Sequence, residues 1–261
     1  MCRENLPKTP NRLINGRWVR VFVSMIRECI IPCPISYFAD NLCPACNSEG
    51  KFIMRTGERE TLGRRLARVC RHDPGRYNLE MDINGWVDIR ELVDALREKE
   101  SRRFGRWLRP HHIKAVVECD AKGRYEVRGN TVRATYGHTV EIELDLPTDN
   151  IPPSLFYPCS DEDLEIIMDI GILPGNRSHV HLSRTVAKAA EAGRLGGQQL
   201  KRPIILEIDT AQMTATGDTV WKAGTAVYLA EKVEPQYLDR VEEEDDRLAP
   251  LISKWEQEEE E

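Results

Sequence analysis

The sequence predicts an α+β chain in which a small cysteine module precedes two unlike lobes, and three observations predict it. Four of the eight cysteines crowd into residues 29–46. Between residues 57 and 135, helix-period stretches lead into a strand, a tight turn and a second strand. Beyond a segment with four prolines at 147–158, short apolar strand runs alternate with short helices up to about residue 238. At 261 residues, 41% hydrophobic and 31% charged, the chain has apolar material for one large core or two small ones.

Residues 1–24 show no clear periodicity and read as an extension that is not expected to be ordered. Met25 opens MIREC, where the cysteine module begins, and by its position offers an alternative translation start. The first 25 residues lack a clean apolar core before a small-residue cleavage site, so no signal peptide is expected. No apolar run approaches the roughly 20 residues that cross a bilayer. A cytoplasmic protein without a membrane partner is therefore expected, and eight cysteines there do not read as a disulfide framework. Cys29, Cys33, Cys43 and Cys46 give the spacing C-x3-C-x9-C-x2-C within residues 25–54. Two cysteine pairs biting one ion fit a tetrahedral zinc site, and four thiolates leave no open position for catalysis. The other reading of these residues is a short loop of reduced thiols.

Residues 57–71 (GERETLGRRLARVCR) place Leu62, Leu66, Val69 and Cys70 at helical spacing, with Arg64, Arg65 and Arg68 between them, and HDPG stops the helix. A turn at Asn84-Gly85, a short extended piece at Trp86-Val87 and a helix capped at Asp88 follow. Pro110 opens the helix HHIKAVVEC. GRYEVRGNTVRATYG reads as a hairpin turning at Gly129-Asn130. Three helices and a hairpin within 55–146 have the order of a winged helix, a fold that often meets nucleic acid. In the second lobe, 152–238, the strand start LFYPC precedes the helix DEDLEIIMDI, ended by Gly171. Strand HVHLS, helix TVAKAAEAG and strands PIILEID and TAVYLAEKV complete the lobe. Residues 239–261 form an acidic tail with too little apolar area to fold alone, so disorder is expected there.

The net charge of −6 argues at first against a polyanionic partner, but its distribution reverses that reading. Residues 55–135 hold 19 basic and 13 acidic side chains, and 16 of the basic ones are Arg, whose planar fork grips phosphate. Residues 239–261 alone hold 3 basic and 11 acidic groups, so the body of the chain is slightly positive.

Chemistry-bearing residues occur in four stretches. Arg71-His72 ends a helix; Arg133 and His138-Thr139 lie in VRATYGHT; His179 and His181 share one face of a strand, with Arg177 upstream and Ser183 after; Arg194 and Arg202 precede the strand PIILEID. Phosphate-binding glycine loops and a GxSxG elbow are lacking, which disfavours dinucleotide dehydrogenases, P-loop kinases and α/β-hydrolases.

Taken in order, LGRRLARVCRHDP, EMDINGWVDIRELV, KGRYEV…VRATYGHT, LFYPCSDEDLEIIMDIGI, NRSHVHLS, PIILEID and AVYLAEKVEPQYL resemble the NAD-dependent RNA 2′-phosphotransferase family, over roughly residues 57–238. The cysteine module looks like the zinc-ribbon extension of archaeal-type members. The resemblance implies a winged-helix lobe for the RNA phosphate and an ADP-ribosyltransferase-like lobe for NAD. It implies removal of an internal splice-junction 2′-phosphate from RNA or tRNA by transfer to NAD, through an ADP-ribosylated 2′-phosphate. It carries over Arg71, His72, Arg133 and Arg194 as catalytic, with Arg202 as the alternative to Arg194. Arg64, Arg68, His138 and Thr139 then contact RNA phosphate, and Tyr157, Arg177, His179, His181 and Ser183 contact NAD. A monomer is expected. Two departures stand out: Gly63-Arg64 where the family has Ser and Lys, and Tyr157-Pro158 within its YHGT-like motif. The second keeps open a non-catalytic nucleic-acid-binding protein, and the same fold also leaves open an ADP-ribosyltransferase acting on terminal nucleic-acid phosphates.

Overall fold

The computed structural model describes residues 11–14, 17–20, 25–195 and 199–260. Strands β1 (Asn11–Ile14) and β2 (Arg17–Arg20) pair antiparallel. The remainder of the extension expected at 1–24 lies outside the described residues. The described residues form a mixed α+β structure with four sheets, and the chain divides into two compact units.

One unit comprises residues up to 68 together with 89–120. Its sheet, in the order β4-β3-β5, is built from β3 (Ile26–Glu28), β4 (Tyr37–Phe38) and β5 (Lys51–Met54). Gly50 is required there: its φ is +66°, and a Cβ would lie 2.6 Å from the Phe38 ring and 2.7 Å from the Glu28 carbonyl oxygen. Helix α1 (Thr56–Arg71) buries Leu62, Leu66, Val69 and Cys70, the apolar stripe read from the sequence. Helix α2 (Ile89–Lys99) buries Ile89, Leu92, Val93 and Leu96. The short α3 (Ser101–Phe104) precedes α4 (Pro110–Glu118), which starts on proline, where a missing N–H costs nothing. Glu118 at the end of α4 accepts the backbone N–H groups of Ser36 and Tyr37, at 2.7 and 3.0 Å.

The other unit comprises 69–88 and 121–260. Strands β6 (Val87–Asp88), β7 (Tyr125–Arg128) and β8 (Thr131–Ala134) form an antiparallel sheet ordered β6-β8-β7. A six-stranded antiparallel sheet, ordered β12-β13-β10-β9-β11-β14, contains β9 (Ser154–Cys159), β10 (Val180–Ser183), β11 (Ile204–Asp209), β12 (Val220–Ala223), β13 (Val227–Ala230) and β14 (Leu238–Arg240). Adjacent residues alternate between two cores: Leu155 and Ile208 join Leu182, Met213 and Tyr228, whereas Phe156 and Ile205 join Val186, Ala189 and Ala190. Helix α5 (Asp161–Ile170) is capped by Ser160, whose hydroxyl accepts the Asp163 N–H at 3.1 Å. Helices α6 (Val186–Leu195) and α7 (Thr210–Ala215) follow β10 and β11. Pro158 lies opposite Ile205 in the β9–β11 register, beyond the pairing of β9 with β10 at Phe156 and Ser183.

The described part of the acidic tail, 239–260, takes up regular structure, contrary to the sequence-based expectation of disorder. Strand β14 extends the sheet, and α8 (Ala249–Glu260) buries Trp255 at 5% exposure, with Val241 and Leu248, against Phe156, Val186 and Ile205. The segment lacks a core of its own but completes one offered by the sheet. Arg247 fastens it, reaching Glu207 and Asp245 at 2.7 Å each.

Candidate active site

The site is built where α1 ends. Arg71 is the last helical residue, and its Nε and Nη2 are buried without a hydrogen-bond partner. Its guanidinium lies 5.5 Å from the Tyr125 ring centre and 5.0 Å from that of Tyr136, so aromatic faces support it from the protein side. The turn after β8 packs on this helix end: Thr139 N–H donates to the Arg71 carbonyl at 2.8 Å, and Thr139 Oγ1 lies 3.1 Å from His72 Nδ1. Gly137 permits the approach, since its φ is +84° and a Cβ would stand 3.1 Å from Arg71 Nη1.

Two histidines share this environment. His138 is 1% exposed with Nε2 buried and unpartnered. Burial, then the Arg71 charge, pushes its pKa down to about 4. His181, on β10, also has a buried, unpartnered Nε2, and its pKa is pushed down to about 3 by burial, then by Arg177 and Arg71. Arg177 Nη1 lies 2.8 Å from His181 Nδ1. Because guanidinium only donates, Nδ1 accepts and the neutral ring carries its proton on Nε2. Arg71 and His181 thus present three buried donor nitrogens with nothing to bond, beside a fixed positive charge. Unmade hydrogen bonds of this kind cost about 1–3 kcal/mol each. An anion with several acceptor oxygens, such as a phosphate, satisfies them and balances the charge.

The unfolded chain binds more protons than the folded one between pH 6.5 and about 4, because both imidazole pKa values are depressed. Stability is therefore expected to fall as the pH drops below about 6.5, before carboxylates protonate. Thermal melts at about pH 7 and 5.5 should show this fall in the wild type and a smaller one in His138→Asn and His181→Asn.

Arg133 stands differently. It lies opposite Glu126 in the β7–β8 register, and its Nε pairs with that carboxylate. Its Nη1 pairs with Asp145 and lies 3.2 Å from the Asn84 carbonyl, while the guanidinium sits 4.4 Å from the Trp86 ring centre. Glu126, Asp145, Trp86, Tyr125 and Tyr136 were not singled out from the sequence. The cross-strand pairing of Glu126 with Arg133 was readable once the hairpin turn was placed, whereas Asp145 comes from a segment with no periodicity.

Tyr157, Arg177, His179 and His181 line one cavity of about 370 Å³ with Pro158 and Gly193. Burial lowers the His179 pKa and raises that of Tyr157. Ser183 instead lines a neighbouring cavity of about 500 Å³ with Tyr136 and Lys188. Arg194 makes its contacts elsewhere: Nη2 pairs with Glu258 of α8 at 2.5 Å, and the guanidinium lies 5.9 Å from the Trp255 ring. Arg202 lines a separate small cavity beside Trp255 and Arg240. In the other unit, Arg64 and Arg68 are exposed on α1. There, too, the thiols of Cys29, Cys33, Cys43 and Cys46 lie within 4.8 Å of one another, with Cys29 3.2 Å from Cys33 and 3.3 Å from Cys46. Four sulfurs this close, in two pairs on short loops, fit a zinc-ribbon-like module able to hold a metal ion. No helix among the described residues is long and apolar enough to cross a membrane.

Residues 57–232 match the family model described as RNA 2′-phosphotransferase, Tpt1 / KptA family. A probable RNA 2′-phosphotransferase of Thermoplasma volcanium is 34% identical over 204 residues, covering 78% of this chain and 84% of the relative. One from Methanosarcina acetivorans is 34% identical over 219 residues, covering 84% of this chain and all of the relative. A probable RNA 2′-phosphotransferase 1 of Archaeoglobus fulgidus is 35% identical over 195 residues, covering 75% and 87%. With a family model matched over most of its length and relatives aligned along most of theirs, the chain belongs to the RNA 2′-phosphotransferase family.

Proposed function

We propose that the chain is an NAD-dependent RNA 2′-phosphotransferase that removes an internal, splice-junction 2′-phosphate from RNA or tRNA. The observation that carries this reading is the set of buried, unpartnered N–H groups of Arg71 and His181 beside His138, within a chain of this family. In the first step the RNA 2′-phosphate attacks C1″ of the NAD ribose and nicotinamide leaves, giving an ADP-ribosylated 2′-phosphate. In the second the ribose 2″-OH attacks that phosphorus and the RNA 2′-oxygen leaves with a proton, giving 2′-OH RNA and ADP-ribose 1″,2″-cyclic phosphate. Arg71 holds the phosphate oxygens through both steps, and preorganised donors of this kind stabilise charge as it develops. His72, beside Thr139, moves the 2″-OH proton. Tyr157, Arg177, His179 and His181 hold NAD in the cavity they line, with Ser183 at its neighbour. Arg64, Arg68, His138 and Thr139 contact the RNA phosphates.

In this reading residues 55–146 form a winged-helix lobe, supported by helices α1, α2 and α4 and the β6-β8-β7 sheet. Residues 152–238 form an ADP-ribosyltransferase-like NAD lobe preceded by the module of 25–54. The protein works as a cytoplasmic monomer. The cysteine set holds structural zinc: metal analysis of purified protein should find about one zinc per chain, and Cys43→Ser should lose it together with part of the melting temperature.

The carboxylates on Arg133 give it a fixed geometry, and Arg194 reaches a substrate only by leaving Glu258. Arg133→Ala is expected to slow the second step more than the first and to accumulate ADP-ribosylated RNA. If Arg194→Ala accumulates it as well, Arg194 completes the catalytic set; if Arg194→Ala matches the wild type, it does not.

The experiment is incubation with NAD⁺ and a short RNA bearing one internal 2′-phosphate, followed by product separation. Dephosphorylated RNA with cyclic ADP-ribose phosphate supports the proposal. Accumulated ADP-ribosyl RNA in the wild type points to an ADP-ribosyltransferase, and RNA binding without turnover points to a non-catalytic binding protein.

A further inference from the structure

A feature of the other unit enters the chemistry above only through Arg64. The sequence SRRFGRWLR at 101–109 interleaves four Arg with Phe104 and Trp107. Together with the N-terminal half of α1 it encloses a groove of about 310 Å³ lined by Thr61, Arg64, Arg65, Arg103, Phe104 and Trp107. Arg65 and Arg103 share one carboxylate, Glu100, at 2.5 and 3.5 Å. Arg64 donates to a neutral group, the Thr61 hydroxyl at 3.3 Å. Glu58, also on the groove, has Oε2 committed to the Arg55 N–H at 2.8 Å. Positive charge therefore exceeds negative charge along the groove. The Trp107 N–H is bonded to the Arg103 carbonyl at 2.6 Å, so the indole has no polar need of its own and offers a partly exposed ring. Phe104, at 5.9 Å between ring centres, and His112, edge-on at 5.0 Å, hold that ring in place. The surrounding charge runs the same way. Residues up to 68 with 89–120 contain 20 basic and 12 acidic side chains, whereas the rest of the chain contains 17 and 31.

We propose that this groove is an RNA subsite for a nucleotide other than the one carrying the 2′-phosphate, with its phosphate on Arg64 and Arg103 and its base against Trp107. Guanidinium forks and an aromatic ring side by side are the pairing single-stranded RNA uses, since every base has a face to stack and every residue a phosphate. The inference rests on RNA being the substrate. It adds that the enzyme holds RNA at a second place, so affinity depends on RNA length.

The test uses the full chain without NAD and reads fluorescence anisotropy. One probe is a single-stranded RNA of about ten nucleotides with one internal 2′-phosphate, long enough to occupy an additional site. The other is a 2′-phosphorylated dinucleotide. Wild type should bind the longer RNA more tightly. Trp107→Ala and Arg103→Ala should each weaken the longer RNA by roughly 5–50-fold, with dinucleotide binding held within about twofold. Arg103→Ala should also make the salt dependence of the longer RNA shallower by about 0.7 in log–log slope, whereas Trp107→Ala should not. Trp107→Phe, which keeps a ring on Phe104 and His112, should recover much of the loss. Unchanged binding of the longer RNA, or an equal loss for both probes, overturns the proposal. So does an acidic peptide that displaces the longer RNA from wild type and Trp107→Ala alike, which marks the groove as a protein-docking surface. Turnover of the dinucleotide by wild type with NAD⁺ tests the enzymatic reading separately.

Discussion

Arg71→Ala is expected to lower kcat/KM on 2′-phosphorylated RNA by a factor on the order of 10²–10³, the usual effect of removing one preorganised donor from a site of developing charge. Two buried nitrogens of this residue have no partner in the protein, and its two aromatic neighbours offer ring faces in place of carboxylates. Such an arrangement is poor for stability and useful only when an anion arrives. The second half of the prediction follows from that: Arg71→Met, similar in length and without charge, should be inactive yet melt at or above the wild-type temperature. Arg71→Lys should restore little activity, because a point charge cannot make two directed bonds from one plane. Activity assays beside thermal melts check both halves. Loss of activity with a large fall in melting temperature would make Arg71 a structural residue.

Trp255→Ala is the substitution expected to cost most stability. The side chain is 5% exposed in the core formed with Phe156, Val186, Ile205 and Leu248, and removing a buried Trp costs about 3–5 kcal/mol. For a chain of this size that corresponds to a fall of roughly 10 °C in melting temperature. Arg194 would lose a ring contact at the same time, and its bond to Glu258 depends on α8 staying docked. Cleavage by a protease in 242–248 should therefore accelerate in this variant. A cleavage rate equal to wild type would show that Arg247 alone, through Glu207 and Asp245, holds the segment.

These two residues also show what was legible in advance. Arg71 and His72 were readable because a 3.6-residue apolar stripe ends at Cys70 and HDPG stops the helix, which leaves both residues at a helix terminus. The helix start after Asp88, the Gly171 stop of α5 and the Gly129-Asn130 turn are equally local signals, and each matches its element. Trp255 was not readable. Its helix lies among acidic residues, and its apolar side has meaning only against a sheet face made from strands some 50–100 positions earlier. The site divides in the same way. His138 and Thr139 meet Arg71 and His72 through a glycine turn visible in the sequence, whereas the carboxylates on Arg133 and the attachment of Arg194 to Glu258 are tertiary facts.

In the proposed function the anion site takes an RNA 2′-phosphate, which acts as a nucleophile toward NAD⁺. The most direct measurement is nicotinamide release in a single turnover, with enzyme in excess over RNA. The RNA is offered in three forms: with an internal 2′-phosphate, with only a terminal phosphate, and with neither. One nicotinamide per 2′-phosphate, and none from the other two RNAs, is the predicted result. Release that is independent of the 2′-phosphate, or equal with a terminal phosphate, would contradict it.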